Sequence, residues 1–455
     1  MCLMSNSEVM LESTARRTSR VTREQQALAE LGITRWSRGV PAVLVIVFLL
    51  TIVAIPLFEN ISDVRTNIAV RRRMLAQGVD VARLPGRRPR SLDILNTLPS
   101  WQEIVAARGM RQWVDLLPKP TRFREYEDSL ILTSGAIRLI RPGVQWFLTG
   151  WLGTGSEKVI VGRDGWLFYR DGVQYITGPG FLNPEKLGPR SSDGQVQPDP
   201  GKAIVQFHNA LSRMGISLVV LPIPDKAMIR PASFSPLMRT APVAPQNPSW
   251  QAFRADLQQQ GVSLLDLTGE MFQREKGGSP QFLRLDSHWS PVGADVAARA
   301  LADYLTRRVT LPPAPRVQYS RRQVDYVSYG DLVALLNLPL SRAQAVFPRE
   351  QLVASQVVAP SGVRWQPDPT SDVLLIGDSF LDMYSTESAG IAEQLSYYLQ
   401  RPVDRIAGHL WGAYGAREAV GKDLQHVREG VGGRKVVIWE FAMRNLAVGG
   451  WKLMD

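Results

Sequence analysis

From about residue 156 onward the chain alternates short unbroken apolar runs with longer stretches whose apolar residues recur every three or four positions. "KVIVGRDGWLFYRDG" (158–172) predicts two short strands around Asp164-Gly165, a dipeptide that hairpin turns favour. After a Pro/Gly-rich loop, "GKAIVQFHNALSRMG" (201–215) has helical spacing and leads into the apolar strand "ISLVVLPIP" (216–224). The alternation continues with a helix near 250–260, the strand "VSLLDL" (262–267), a helix at 291–308, the strand "DVLLIG" (372–377), a helix near 389–400 and the late strand "KVVIWEF" (435–441). Strands of continuous apolar character need cover on both faces, so the pattern predicts an α/β domain with a parallel sheet over residues 155–455.

The first part of the chain reads differently. "GVPAVLVIVFLLTIVAIPLF", residues 39–58, is uncharged throughout and close to the roughly 20 residues that cross a bilayer as a helix. A cleaved signal peptide is the competing reading, but the run is longer than a typical h-region and no clear A-x-A-like site follows. The expected organisation is a tail over 1–38, a transmembrane anchor over 39–58 and a basic linker with helical segments over 59–154. Within that linker, "RLPGRRPRS" (83–91) is loop-like, and "WQEIVAARGMRQWVDLL" (101–117) is an amphipathic stretch whose apolar face suits packing onto the following domain. Arg35 and Arg38 precede the span while Arg65, Arg71, Arg72 and Arg73 follow it, so the positive-inside rule does not orient it.

Charge sharpens this division. The 455 residues carry a formal +11, of which residues 1–150 contribute +8 (21 Lys and Arg against 13 Asp and Glu), leaving +3 for the remainder. The basic excess surrounds the hydrophobic segment, which favours a membrane surface over nucleic acid, and no nucleic-acid module is present in the sequence. The single cysteine, Cys2, excludes an intrachain disulfide.

In parallel α/β sheets reactive groups collect where the chain leaves the carboxyl ends of strands. Ser379 stands there, in "LLIGDSFLDMYS", directly after an apolar run, with Gly377 two residues earlier to ease a tight strand-to-helix turn. A serine hydroxyl needs a base, usually an imidazole held by a carboxylate. Of His208, His288, His409 and His426, only His288 has a carboxylate at i−2 in an irregular segment, "RLDSHWSPVGA" (284–294). Asp286 can reach the imidazole Nδ1–H and leave Nε2 facing the serine. Ser290-Pro291 reads as a helix N-cap and first turn, which accounts for Ser290 but not for the Asp-x-His-Trp before it. His208 and His426 fall in helical patterns, and His409 is a weaker second candidate. No His/Cys/Glu cluster lies nearby in sequence to complete a ligand set with Asp286 and His288, so no metal and no cofactor is expected.

"GRDGWLFY" (162–169), "LPIPDKAMIRP" (221–231), "DSHWS" (286–290), "LLIGDSF" (374–380) and "VIWEFAMRNL" (437–446), in that order, resemble the alginate O-acetyltransferase family, the AlgJ/AlgX-like SGNH-hydrolase-like domain. The resemblance covers about residues 155–455, and the anchor is similar to that of the AlgJ-type branch. It implies an SGNH-like α/β fold with Asp286 as orienter, His288 as base and Ser379 as nucleophile. It also implies a periplasmic catalytic domain on the inner membrane, a cytoplasmic N-terminal tail, a membrane-bound O-acyltransferase partner as acetyl donor and an exopolysaccharide acceptor. The Gly and Asn blocks that complete the oxyanion hole of ordinary SGNH hydrolases are not identifiable. The Ser379 N–H is one candidate donor, and Gly412 or Gly415 is a candidate for another. Transfer to a sugar hydroxyl and hydrolysis of a carbohydrate acetyl ester use the same residues, so the sequence leaves both open, together with a non-catalytic glycan- or partner-binding scaffold.

Other conspicuous residues have plainer expected roles. Trp166, Phe168 and Tyr169 are expected to pack, Trp289 to be a pocket wall or a core anchor, and Asp378 to hydrogen-bond its turn. Glu440 and Arg444 are expected to form a structural ion pair.

Overall fold

The computed structural model of the chain describes residues 135–183, 196–197, 199–408, 412–421, 427, 429–448 and 451–453, with isolated positions between 58 and 72. The chain divides into two compact units, Met1–Leu139 and Ile140–Asp455. The expected tail over 1–38, the anchor over 39–58 (Phe58 excepted) and the amphipathic stretch 101–117 lie outside the described residues. Among the described residues no helix is long and apolar enough to cross a membrane.

The first strands of the second unit, after the helix Gly135–Leu152, are the hairpin β1 (Val159–Val161) and β2 (Leu167–Tyr169), paired antiparallel. Asp164 and Gly165 both take positive φ, 55° and 72°, and the Trp166 N–H closes on Arg163 O, the geometry of the primed turn that Asp-Gly favours. The hairpin is apolar on both sides. Val159 and Leu167 pack with Leu285, Leu332 and Leu336, and Trp166 and Phe168 pack with Val173 and Ala227. Core packing is therefore what these aromatics do, and burying Phe168 completely contributes about 2–3 kcal/mol.

Helix α1 (Arg170–Thr177) follows, then β3 (Val196–Gln197), α2 (Pro200–Arg213) and β4 (Ser217–Ile223). Asp199 caps α2 by accepting the Gly201 N–H at 2.9 Å, ahead of Pro200 in the first turn. After α3 (Trp250–Gln259), β5 (Ser263–Leu264), α4 (Pro291–Arg308), β6 (Ser320–Ser328) and β7 (Glu350–Val358), the chain makes β8 (Val373–Gly377), α5 (Ile391–Leu399), β9 (Asp404–Ala407), α6 (Gly412–Glu418), β10 (Val436–Ala442) and β11 (Trp451–Lys452).

Five strands form one sheet in the order β5-β4-β10-β8-β9, every neighbouring pair parallel. Each residue of β8 and β10 is buried, as continuous apolar strands require. From β4 the chain moves outward to β5, from β8 outward to β9, and β10 inserts between β4 and β8 last. This switch point leaves the carboxyl ends of β4, β10 and β8 side by side, where open α/β sheets bind ligands.

Three strand features escaped the periodicity, the two-residue pair β3–β11 among them. The antiparallel pair β6–β7 mixes exposed and half-buried positions, with buried ones only toward the end of each strand, and carries charges, so it lacks the continuous apolar signal of the sheet. The edge strand β9, "DRIA", is too short and too charged to register.

Candidate active site

Ser379 begins a single helical turn, Ser379–Asp382, immediately after β8. Asp378 caps that turn with its own carboxylate, Oδ1 accepting the Phe380 N–H at 3.0 Å, while Oδ2 accepts the Ala442 N–H at 3.3 Å and the Asn445 amide at 3.4 Å. The expected turn role of Asp378 is met. Gly377 is needed for a different reason from the one expected. Its φ is not positive, but a Cβ there would stand 2.2 Å from Glu440 Oε2. Close approach, not backbone freedom, selects glycine at 377.

Asp286 and His288 lie in the irregular segment before α4. The Leu283 N–H donates to His288 O at 3.2 Å and the Ser290 N–H to Gln281 O at 2.9 Å, so the segment folds back on itself as a tight loop. Ser290 caps α4 by accepting the Gly293 N–H at 3.0 Å. Trp289 is the anchor of this loop. It is fully buried and meets the Phe380 ring edge to face at 5.2 Å, which makes it core rather than pocket wall.

The structure brings Asp286, His288 and Ser379 together. His288 Nδ1 lies 2.6 Å from Asp286 Oδ1, and His288 Nε2 lies 2.7 Å from Ser379 Oγ. An ionised carboxylate only accepts, so Nδ1 carries the proton and Nε2 is left to accept from the serine hydroxyl. Burial pushes the Asp286 carboxyl upward, but the hydrogen bond and charge of His288, with the N–H groups of Asp331 and His288, outweigh it and hold the group well below the usual carboxylate range. The Phe380 ring lies 4.7 Å from the imidazole, limiting its rotation. Ser379 itself is half-buried, and its N–H makes no hydrogen bond among the described residues.

Sequence reasoning missed Asp331. It stands at the start of the helical turn Asp331–Leu335, its N–H donates to Asp286 Oδ2 at 3.2 Å, and its Oδ2 lies 3.7 Å from His288 Nδ1. Burial first, and the charge of Asp286 second, push its carboxyl upward. No motif in the chain links "YGDL" to "DSHWS"; only the fold does. Asp331 stands close enough to Asp286 and His288 that one ligand atom from each of the three lies within 4.8 Å of the others, a grouping that spacing along the chain does not show. Both ring nitrogens are already hydrogen-bonded, and a cation on Nδ1 would have to displace the proton shared with Asp286, so the arrangement suits proton transfer better than coordination.

The expected Glu440–Arg444 pair is also corrected. Arg444 lies in the turn after β10 and pairs with Asp225 after β4, Nη1 to Oδ1 at 2.7 Å, with the Arg444 N–H on Oδ2 at 2.9 Å. Glu440 is inside the strand, and its Oε2 accepts the Asp378 N–H at 3.1 Å. Residues four apart face each other on a helix, but a strand and the turn after it send them apart. Next to Asp225, the buried Lys226 donates to Leu167 O at 2.6 Å and Arg284 O at 3.1 Å, tying the hairpin to the segment that carries Asp286.

Among the other expected positions, His208 lies on α2 with no hydrogen bond to Ser379 or Asp286, and His409 and His426 lie outside the described residues. Gly412, in the first turn of α6, takes φ 54°, and a Cβ there would lie 3.8 Å from the Asn445 amide; Gly415 is in the same helix.

Residues 159–443 match the family described as the SGNH hydrolase-like domain of acetyltransferase AlgX. The "Probable alginate O-acetylase AlgJ" of Azotobacter vinelandii is 26% identical over 318 residues, covering 65% of this chain and 71% of that protein. The protein of the same description from Pseudomonas aeruginosa is 30% identical over 227 residues, covering 50% of this chain and 53% of that one. The solved "O-Acetyltransferase Domain of Pseudomonas putida AlgJ" aligns with a TM-score of 0.47 at 23% identity, over 64% of this chain and 92% of that one.

Proposed function

Because the chain belongs to the family of the acetyltransferase-AlgX SGNH hydrolase-like domain, we propose that it is an O-acetyltransferase that moves an acetyl group through Ser379 to a hydroxyl of an exopolysaccharide. The observation that carries this reading is the continuous hydrogen-bonded line Asp286–His288–Ser379, with steps of 2.6 and 2.7 Å, at the carboxyl edge of the parallel sheet.

In the first half-reaction Ser379 Oγ attacks the acetyl carbonyl of the donor ester as Nε2 takes the hydroxyl proton, and Asp286 balances the imidazolium. The tetrahedral intermediate collapses, the donor alcohol leaves with the proton from Nε2, and acetyl-serine remains. The free Ser379 N–H is the donor available for the oxyanion. In the second half a sugar hydroxyl gives its proton to Nε2 and attacks the acetyl carbon, and Ser379 regains that proton on leaving. Within this reading the donor is a membrane-bound O-acyltransferase, residues 39–58 anchor the chain in the inner membrane, and the catalytic domain faces the periplasm with residues 1–38 in the cytoplasm. The names of the AlgJ relatives support the acetylation of a polysaccharide; the uncharged 39–58 segment supports the anchor.

The test is mass spectrometry of the protein after exposure to an activated acetyl ester, with and without unacetylated exopolysaccharide. Expected are an acetyl adduct on Ser379, its discharge into acetylated sugar at the expense of free acetate, and loss of both products in Ser379→Ala. Free acetate as the sole product across a panel of acceptors, with acetylated polysaccharides being stripped, replaces transfer by hydrolysis. A Ser379→Ala protein that still turns over acetyl esters removes the serine mechanism.

A further inference from the structure

Glu440 lies inside β10, the central strand, between the fully buried Trp439 and Phe441, and is itself 0% exposed. A carboxyl in that position has lost its water and recovered little: Oε2 accepts the Asp378 N–H at 3.1 Å, and Oε1 has no partner among the described residues. An apolar side chain would occupy the same volume at lower cost. The space beside it is shaped to admit it. A Cβ at residue 377 would stand 2.2 Å from Glu440 Oε2 and 3.0 Å from the Leu381 side chain, so the missing side chain of Gly377 is what lets the carboxyl reach the backbone at 378.

Asp378 is thereby tied from both of its ends. Its N–H is held by Glu440, and its carboxylate is held by the Phe380 and Ala442 N–H groups and the Asn445 amide. Ser379 is the next residue. Burial first, then the charge of Asp378, push the Glu440 carboxyl well above the usual range, which favours its neutral form beneath the serine.

We propose that Glu440 is a positioning residue for Ser379: its carboxyl fills the notch left by Gly377, holds the Asp378 N–H and so keeps the following hydroxyl in line with His288 Nε2. The inference rests on the reading of Ser379 as nucleophile, and it adds a requirement that reading does not contain. Glu440 touches no reacting atom and acts only through the turn.

The experiment follows covalent labelling of the full chain by a fluorophosphonate, in which Ser379 Oγ forms the O–P bond, fluoride leaves and the proton passes to His288. Glu440→Met keeps apolar cover and most of the volume but removes the acceptor; Glu440→Gln keeps an acceptor oxygen without charge. Expected is labelling of Ser379 slowed about 10²-fold in Glu440→Met, with the saturation constant for the probe unchanged, and restored to within about threefold in Glu440→Gln. Labelling of Glu440→Met at the wild-type rate overturns the proposal alone, provided Ser379→Ala is silent. A wild-type chain that is not labelled at Ser379 removes the nucleophile reading and this inference with it. Should Glu440→Met lack a cooperative melt, the pair Gly377→Ala/Glu440→Ala refills the notch with a methyl group. Slow labelling of that folded pair supports the role, and the wild-type rate overturns it.

Discussion

Ser287 and Asp331 meet through both ends of one carboxylate: Oδ1 accepts the Ser287 N–H at 2.7 Å and Oδ2 accepts the Ser287 hydroxyl at 2.5 Å. Ser287 is the residue between Asp286 and His288, so the clamp fixes the short span of chain on which the proposed orienter and base both depend. Asp331→Ala is expected to lower kcat/KM for an activated acetyl ester about tenfold through loosened positioning, with folding retained. Asp331→Asn, which keeps an oxygen for the Ser287 N–H, is expected to lose less. Steady-state kinetics of the two variants check this, and wild-type kcat/KM in Asp331→Ala shows that the clamp is dispensable.

What the sequence revealed and what it hid divide along physical lines. The core strands β4, β8 and β10 were legible because burial on both faces leaves an unbroken apolar run, and α4 because Ser290-Pro291 marks its start. The grouping of Asp286, His288 and Ser379, which the structure brings within hydrogen-bond distance, was suggested by a carboxylate two residues before a histidine in a loop and a serine just beyond an apolar strand. Asp331 and the Asp225–Arg444 pair were not, because each contact joins segments far apart in the chain and no local pattern reports it. Glu440 was misread for a related reason. Its place in the late strand was predicted, but its spacing to Arg444 does not report that its partner is the Asp378 N–H of the distant serine turn.

Glu393 predicts a pH-dependent loss of stability at the far end of the sheet. It lies in the first turn of α5, one oxygen is 3.0 Å from Arg405 Nη1 and the other has no partner among the described residues. Burial pushes its carboxyl up to about 7, against the pull of Arg405. A raised carboxyl binds its proton more tightly in the fold than in the unfolded chain, so its contribution is fully present below about pH 4.3 and is lost as pH rises toward 7. The loss amounts to ~3 kcal/mol. Glu393→Gln does not titrate. Denaturant melts from pH 4 to 8 are expected to show a shallower decline in the variant, and identical slopes would refute the assignment.

Lys226 carries the opposite sign. Burial lowers its ammonium to about 8, although Asp286, Asp331 and Glu350 all pull it back up. The unfolded lysine keeps its proton to about pH 10.4, so between 8 and that value the unfolded chain binds more protons and stability gains from rising pH. Lys226→Met is expected to abolish that gain. It also leaves Leu167 O and Arg284 O without the ammonium that joins them, and the resulting play in the Asp286 segment is expected to reduce acetyl-ester turnover about tenfold. Melts at pH 7.5 and 10, with turnover measured on the same samples, distinguish the two effects. Unchanged turnover confines Lys226 to stability.

Asp286→Asn separates orientation from charge most sharply. An asparagine amide can donate to Nδ1, which then carries no proton and leaves Nε2 protonated and unable to take one from Ser379. Turnover is expected to fall by about 10³–10⁴-fold with KM little changed, because the residue touches the imidazole and not the substrate. Stability should respond in a definite window. The Asp286 carboxyl is held below its ordinary value, chiefly by His288 acting against the upward push of burial, so its stabilising contribution is present above about pH 3.9 and fades as pH falls below it. The variant is expected to melt below the wild type at pH 7, with the gap closing in acid. A gap that stays constant from pH 7 to 3 shows that the carboxylate charge does not stabilise the fold. A variant with full turnover shows that the imidazole needs no orienter.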